Sequence, residues 1–410
     1  MDVRITPRPL SGTVNVPPSK SMTHRLVIAA ALAQGESTIQ NTACSQDIEA
    51  TLRCVEALGA RWKRDGATLR IRGVGGRPRE RRSDLPRFDC GESGSTLRFL
   101  LPVALALAGG GVFTGRGRLM ARPQQPYFDL FDEKGIFHEL RDGVLTVRGT
   151  LTPGEYRLPG NVSSQFFTGL LFALSLLDAP SSLLATTEME SGSYLLMTTQ
   201  AMVLAGFGSL RTIGGSGALA LRPFRYRPFS AAVEGDWSQA AFWYAAAFLD
   251  YPVLCQGLKP DTVQGDRIVS DLYWKLARPD TDAEIDLSDC PDLLPPLAVM
   301  AANRRGETRF THAARLRLKE SDRLESTAAL LRALGGRVSV LPDGLLVHGG
   351  TPLSGGTVDG AGDHRIVMAA AVAASACTGP VTILGAEAVD KSYPSFWDDY
   401  QKLGGEVCVL

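Results

Sequence analysis

Lys20, Arg25, Arg98, Arg323 and Arg365 share an awkward position, because each sits at or near a place where a helix should begin. A helix N-terminus carries partial positive charge, and a cation placed there is disfavoured by about 0.3–1 kcal/mol when exposed. The surrounding segments read "SKSMTHR" (19–25), "GESGSTLR" (91–98) and "AGDHR" (361–365), each with a Ser, Thr or Asp suited to capping. Arg323 follows a cap in "LKESDRLES", and three further entrances, "GNVSSQ" (160–165), "EGDWSQ" (234–239) and "CPDLLP" (290–295), carry caps without arginine. Helical side chains lean back toward the N-terminus, so the arginines project past the helix ends. Guanidinium forks, hydroxyls and unspent backbone N–H groups together suit a phosphate or carboxylate. Capping alone, with the arginines scattered over the surface, is the plainer alternative that spacing leaves open.

The elements behind these entrances are unusual. Six stretches, "LVIAAALA", "LRFLLPVALALA", "FFTGLLFALSLL", "AAFWYAAAFL", "LLPPLAVMAA" and "IVMAAAVAASA", are almost wholly apolar. A helix apolar on all sides is buried on all sides. Between them a second pattern repeats: a helix ending at Gly, a strand, a tight turn and another strand. Its clearest copies are "TLRCVEALGARWKRDGATLRIRG", with Gly59 and an Asp65-Gly66 turn, and "STAALLRALGGRVSVLPDGLLVHGG", with Gly335 and an Asp343-Gly344 turn. Weaker copies pass through Gly135 and Gly206, one degenerate unit is expected near "SDLYWKLARPDTDAEIDL", and "YQKLGGEVCVL" stops after one strand. Six units fill the chain at intervals too long for common solenoids. Three per half implies two similar α/β domains in which alternating strands wrap central helices.

Composition narrows the classes. Of 410 residues, 43 are basic and 43 acidic, so there is no global field to attract nucleic acid or an anionic membrane. The seven cysteines contain no CxxC pair and five histidines are dispersed, which suits reduced thiols and argues against a metal cluster. The start "MDVRITPRPL" has no apolar signal core, and polar residues or Gly interrupt the apolar helices short of bilayer length. The expected location is the cytoplasm.

The segments "PPSKSMTHR", "GESGSTLRFL", "ARPQQP", "GNVSSQF", "SGSY", "EGDWS", "LKESDRL", "GDHR" and "DKSYPSF" occur in one order along nearly the whole chain. In that order they resemble the EPSP synthase family of enolpyruvyl transferases. The resemblance implies two domains, each of three βαβαββ units with buried central helices wrapped by sheets (an inside-out α/β barrel), joined by a double-stranded hinge. It places residues 1–16 with 233–410 in a discontinuous C-terminal domain and 17–232 in the N-terminal one. The implied reaction moves the enolpyruvyl group of phosphoenolpyruvate to the 5-hydroxyl of shikimate 3-phosphate in a closing cleft. It needs no metal or organic cofactor, and a monomer is expected.

By the same resemblance, Lys20, Asp292 and Glu320 are catalytic, Asp292 accepting the 5-hydroxyl proton and Glu320 serving proton transfer at the enol carbon. Lys20, Ser21, Arg25, Ser163, Ser164, Gln165, Ser191, Tyr194, Asp292 and Lys319 fall to shikimate 3-phosphate. Lys20, Gly94, Arg122, Arg323, Arg365 and Lys391 fall to phosphoenolpyruvate, with glyphosate a competitor beside Gly94. His24 and His364 are expected behind the ligand-contacting residues. Each has a duller reading: Ser21, Ser95, Ser163, Ser164 and Asp292 as caps, Ser21 being the expected cap of the first helix, and Glu320 as a surface acid in a helix start closed by Asp322 and Glu325. Two departures stand out, Glu92 where an Asn is frequent and Ser193 where a Pro is frequent. The alternatives are the sister enzyme acting on UDP-N-acetylglucosamine, whose loop Cys ahead of Arg122-Pro123 is missing from "FTGRGRLMARPQQP", and a non-catalytic anion binder.

Overall fold

The computed structural model describes residues 1–76, 84–213, 217–278 and 281–410. It divides into two compact units, Pro18–Glu234 and Met1–Pro17 with Gly235–Leu410. The chain therefore crosses one or two residues later than the expected 16/17 and 232/233.

In the unit Pro18–Glu234, three four-stranded sheets share one topology. Strand Ser230–Ala232 runs parallel to Glu36–Gln40, which pairs antiparallel with Thr68–Arg72, itself antiparallel to Arg61–Asp65. The same parallel, antiparallel, antiparallel order recurs in Arg87–Asp89, Gly110–Thr114, Val144–Arg148 and Phe137–Arg141. It recurs again in Glu155–Leu158, Ser181–Ala185, Ala218–Leu221 and Arg211–Ile213. Strands such as Thr68–Arg72 bury alternate residues, Leu69 and Ile71, as a one-sided sheet requires.

Helices Lys20–Leu32, Gly94–Ala108 and Ser164–Leu174 are buried along most of their length. Each starts at a serine, Ser19, Ser93 or Ser163, whose side chain accepts a backbone N–H of the first turn. Pro102 lies inside the second of these helices and cannot donate to the carbonyl four residues back. The Tyr127 hydroxyl lies 2.8 Å from that carbonyl, on Arg98, and 2.9 Å from the Phe166 carbonyl. Gly169 lets the third helix approach there, since a Cβ would run into Arg98 O and the Tyr127 hydroxyl.

The other unit repeats the topology twice. Ala283–Asp286, Glu307–Thr311, Gly344–His348 and Arg337–Leu341 form one sheet. Gly356–Asp359 and Val381–Leu384 begin the second, completed by the N-terminal strand Val3–Thr6 and by Glu406–Val409. Val3–Thr6 thus supplies the strand that the C-terminal repeat lacks. The degenerate copy is reduced further: Gly12–Asn15 and Val253–Gln256 pair as two parallel strands. After its helix Val269–Leu276 the next described strand belongs to the following sheet. Helices Trp237–Phe248, Leu294–Asn303 and His364–Ser375 form the buried core.

Two expected turns are corrected. Asp65 pairs with Thr68, so Gly66-Ala67 makes the first turn and Asp65 belongs to the strand. Leu341 pairs with Gly344, so Pro342-Asp343 makes the turn and Gly344 belongs to the strand. Proline presets the first turn position, and the Asp343 carboxylate accepts the backbone N–H groups of His312, Ala313 and Ala314 at 2.7–3.1 Å. Among the described residues, no helix is long and apolar enough to cross a membrane.

Candidate active site

Arg25 is 1% exposed, six residues into its helix. Its guanidinium leans back as expected, Nη1 donating to Ser21 O at 2.8 Å. Nε donates to Thr198 Oγ1 at 2.9 Å and Nη2 reaches Thr168 Oγ1 at 3.4 Å. The group also lies 5.0 Å from the Phe99 ring centre and 5.7 Å from that of Tyr194. None of these partners is a carboxylate. Dehydration consequently pushes the Arg25 pKa down from 12.5 to about 10.

Lys20 pairs with Asp47 at 2.8 Å, a partner that sequence spacing does not reveal. Gln165 links two entrances: Arg98 Nη1 donates to its Oε1 at 2.9 Å, and its Nε2 donates to Ser95 Oγ at 3.0 Å. Arg98 Nε also reaches Gln124 Oε1 at 3.3 Å, and Gln124 Nε2 donates to Arg122 O at 3.2 Å. The Arg122 guanidinium lies across Gly94, where a Cβ would come within 2.8 Å of Nη1. Ser163 does cap its helix, accepting Gln165 N at 3.3 Å, and Ser164 is buried behind it. Ser191 adopts φ 57°, a left-handed conformation that costs a non-glycine residue about 1–2 kcal/mol and fixes the approach to Tyr194. Glu92 directs its carboxylate toward Gly117, where a Cβ would be 2.7 Å from Oε2, while Arg98 Nη2 donates to Pro123 O at 3.0 Å.

In the other unit the cations are densely paired. Arg323, 1% exposed, donates through Nη1 to Asp292 Oδ1 at 2.8 Å, Nη2 to Glu320 Oε2 at 2.6 Å and Nε to Asp363 Oδ2 at 2.8 Å. Arg365 Nη2 donates to Asp292 Oδ2 at 2.7 Å and to Ser238 Oγ at 3.0 Å. Lys319 Nζ stands 3.7 Å from Asp292 Oδ1, and Lys391 Nζ donates to Gly362 O at 2.7 Å. Asp292 sits in the short 3-10 turn Pro291–Leu293, its carboxylate held by Arg323 and Arg365. Glu320 is likewise bound to Arg323, whereas Asp322 does cap, accepting Glu325 N at 3.2 Å.

Charge explains the titration. Desolvation pushes Asp292 up, but Arg365, Lys319 and Arg323 outweigh it and hold the carboxyl well below its usual range. Desolvation pushes Lys319 down to about 8 despite the opposing charge of Asp292. Arg323 is held above its ordinary value: desolvation lowers it, and Asp363, Glu320 and Asp292 more than reverse this.

Sequence reasoning left out Asp47, Thr168, Thr198, Ser238 and Asp363. Asp363 is fully buried, pairs with Arg323 and accepts Arg365 N at 3.0 Å, although "GDHR" marks it only as a cap. His24 and His364 are both buried.

Repeated α/β units, most of them built on a buried helix entered through a capping Ser or Asp, define the class of fold. The family model for EPSP synthase (3-phosphoshikimate 1-carboxyvinyltransferase) matches residues 5–400, and the chain belongs to that family. It is 42% identical to the 3-phosphoshikimate 1-carboxyvinyltransferase of Clostridium kluyveri and 41% identical to that of Clostridium acetobutylicum, covering 99% of this chain and 98% of each relative. An EPSP synthase structure from Acinetobacter baumannii matches with TM-score 0.78 at 23% identity over 100% of both chains. The enolpyruvyl transferase NikO from Streptomyces tendae also matches with TM-score 0.78, at 19% identity over 99% of this chain and 98% of its own. At such identities these structural likenesses speak for the mixed α/β fold.

Proposed function

We propose that the protein transfers the enolpyruvyl group of phosphoenolpyruvate to the 5-hydroxyl of shikimate 3-phosphate, releasing inorganic phosphate. The observation that carries this reading is Arg25: a buried guanidinium whose partners are hydroxyls, a carbonyl and aromatic faces, with no carboxylate among the described residues. A dehydrated cation held this way is built for an anion that arrives from outside. Full-length identity near 40% to relatives named for this activity supports the choice of reaction.

In this reading Arg25, Lys20, Ser21, Ser163, Ser164, Gln165, Ser191, Tyr194 and Lys319 bind shikimate 3-phosphate. Lys20, Gly94, Arg122, Arg323, Arg365 and Lys391 hold phosphoenolpyruvate. Asp292, kept ionised by its arginines, takes the proton of the 5-hydroxyl as that oxygen attacks C2 of the enol, while Glu320, assisted by Lys20, delivers a proton to C3. The resulting tetrahedral adduct loses a C3 proton and its C2–O–phosphate bond, which restores the double bond and frees phosphate. Cations on the phosphate stabilise charge throughout. Each unit is read as an inside-out barrel, the two linked by a double-stranded hinge, and the enzyme works as a cytoplasmic monomer.

Phosphate release measured with both substrates tests the reading. Turnover requiring both is expected. Turnover only with UDP-N-acetylglucosamine, or binding of shikimate 3-phosphate without turnover, would overturn it.

A further inference from the structure

Four side chains connect the helix Gln46–Ala57 to the entrances of Lys20–Leu32 and Gly94–Ala108. His24 Nδ1 lies 2.7 Å from Thr51 Oγ1, Thr51 Oγ1 lies 2.6 Å from Thr96 Oγ1, and Thr96 Oγ1 donates to Ser93 Oγ at 2.8 Å. His24, Thr51, Thr96 and Ser93 are each at most 1% exposed. The motifs singled out for anion binding contain His24, Ser93 and Thr96, and the reaction scheme above uses none of them.

Hydrogen counting gives the chain a direction. A hydroxyl has one hydrogen and two lone pairs. Thr96 spends its hydrogen on Ser93, so it accepts from Thr51. Thr51 Oγ1 also lies 3.3 Å from Asp47 O, but the 2.6 Å contact with Thr96 takes its one hydrogen, so Thr51 accepts from Nδ1–H of His24. That tautomer leaves Nε2 as a bare lone pair, and Nε2 has no hydrogen-bond partner among the described residues. Burial, reinforced by the Lys20 and Arg25 charges, holds the imidazole pKa well below its usual value, so the ring is neutral as the counting requires.

At the far end, Ser93 Oγ accepts both Thr96 Oγ1–H and the Thr96 backbone N–H, the latter at 3.2 Å. Its own hydrogen has no acceptor among the described residues. Ser93 directly precedes Gly94, over which the Arg122 guanidinium lies.

We propose that His24, Thr51 and Thr96 are positioning residues that lock the Ser93 hydroxyl so that its hydrogen is donated to a carboxylate or phosphate oxygen of the donor substrate bound beside Arg122. The inference rests on the enolpyruvyl-transfer reading. The relay starts from the helix bearing Lys20 and Arg25 and ends at the Gly94 entrance, where the Ser93 hydrogen that it orients faces the donor side.

Steady-state kinetics of Thr51→Val and Thr51→Ser test this. Thr51→Val cuts the relay with little change in volume, and losing one oriented hydrogen bond should raise KM for phosphoenolpyruvate about three- to tenfold. KM for shikimate 3-phosphate should stay within about twofold, and Thr51→Ser should restore both. Ser93→Ala should raise the same KM, with no further rise when combined with Thr51→Val, because both remove one interaction. If Thr51→Val does not fold, Thr96→Val and Thr96→Ser supply the same comparison. Equal rises in both KM values, no rise, additive effects, or failure of the serine variant to rescue would overturn the relay. Absence of turnover in the unsubstituted enzyme would instead overturn the underlying reading.

Discussion

Arg25 and Arg323 are equally buried, yet replacing each with methionine should have very different consequences for stability. For Arg25, dehydration lowers the pKa from 12.5 to about 10, and at about 1.4 kcal/mol per pKa unit the buried charge costs about 3 kcal/mol. Its three hydrogen bonds, to Ser21, Thr168 and Thr198, return a similar amount at about 1 kcal/mol each. Thr168 and Thr198 remain bonded to one another at 2.8 Å without it. Arg25→Met should therefore stay within about 1 kcal/mol of the parent, a change in Tm of at most about 4 °C. Arg323→Met instead strands Asp363, fully buried, and deprives Asp292 and Glu320 of a partner. Removing one side of a buried pair costs about 3–5 kcal/mol, or a fall of about 6–20 °C. Scanning calorimetry with and without shikimate 3-phosphate reads both effects. At 100 times Kd the ligand should stabilise the parent by about 2.7 kcal/mol and leave Arg25→Met unmoved. A loss in Arg25→Met as large as in Arg323→Met, or a preserved ligand shift, would refute the claim that Arg25 waits for an external anion.

Lys319, with its pKa near 8, gives a pH signature. Between about 8 and its unfolded value the unfolded chain holds a proton that the folded chain has shed, so this group makes stability rise with pH there. The same deprotonation removes a cation from the acceptor site, and KM for shikimate 3-phosphate should rise from pH 7 to pH 9. Lys319→Arg should flatten that limb; an unchanged limb would assign it elsewhere. Asp292→Asn should lower kcat by about 10²–10⁴-fold, the range of a lost general base, with both KM values little changed. A loss confined to KM would make Asp292 a binding group. Gly94→Ala puts a Cβ 2.8 Å from Arg122 Nη1, a flexible group that can shift, so KM for phosphoenolpyruvate should rise while Tm holds. A collapse in Tm would show that the contact is rigid.

The helix entrances are legible in the sequence because capping residues and all-apolar runs are local signals, but the exact cap is not: Ser19 caps in place of Ser21 and Ser93 in place of Ser95, while Ser163 caps as expected. The repeat is legible for the same reason: Gly59, Gly135, Gly206, Gly335 and Gly404 all take φ between 65° and 103° at helix ends. What is not legible depends on distant pairing. Lys20 meets Asp47 across 27 positions and Arg323 meets Asp363 across 40, and nothing in local composition selects those carboxylates from 43 acids. The turn at Pro342-Asp343 was masked by the stronger Asp-Gly signal one residue later. Strand Val3–Thr6 could be joined to Glu406–Val409 only through a family resemblance, since periodicity carries no information across the length of a chain.

The two units treat cations differently, and that difference bears on how the acids work. Every nitrogen of the Arg323 guanidinium donates to a carboxylate: Nη1 to Asp292, Nη2 to Glu320 and Nε to Asp363. Four of its five N–H groups are directed at carboxylates, so a substrate anion that engages Arg323 competes with these acids. Asp363 is fully buried and tied to Ser321 Oγ at 3.1 Å and Arg365 N at 3.0 Å, so it cannot yield. Asp292 and Glu320 have side chains 16% and 19% exposed and can turn aside. These are the two groups assigned to move protons. While bound to arginine, Asp292 is held well below its usual pKa and is a poor base. Once the arginines turn to a phosphate or carboxylate, that stabilisation weakens, its pKa climbs and its capacity to take a hydroxyl proton grows. In the proposed reading, a donor that draws these guanidinium groups off Asp292 also raises its basicity, because the same cations restrain the acid.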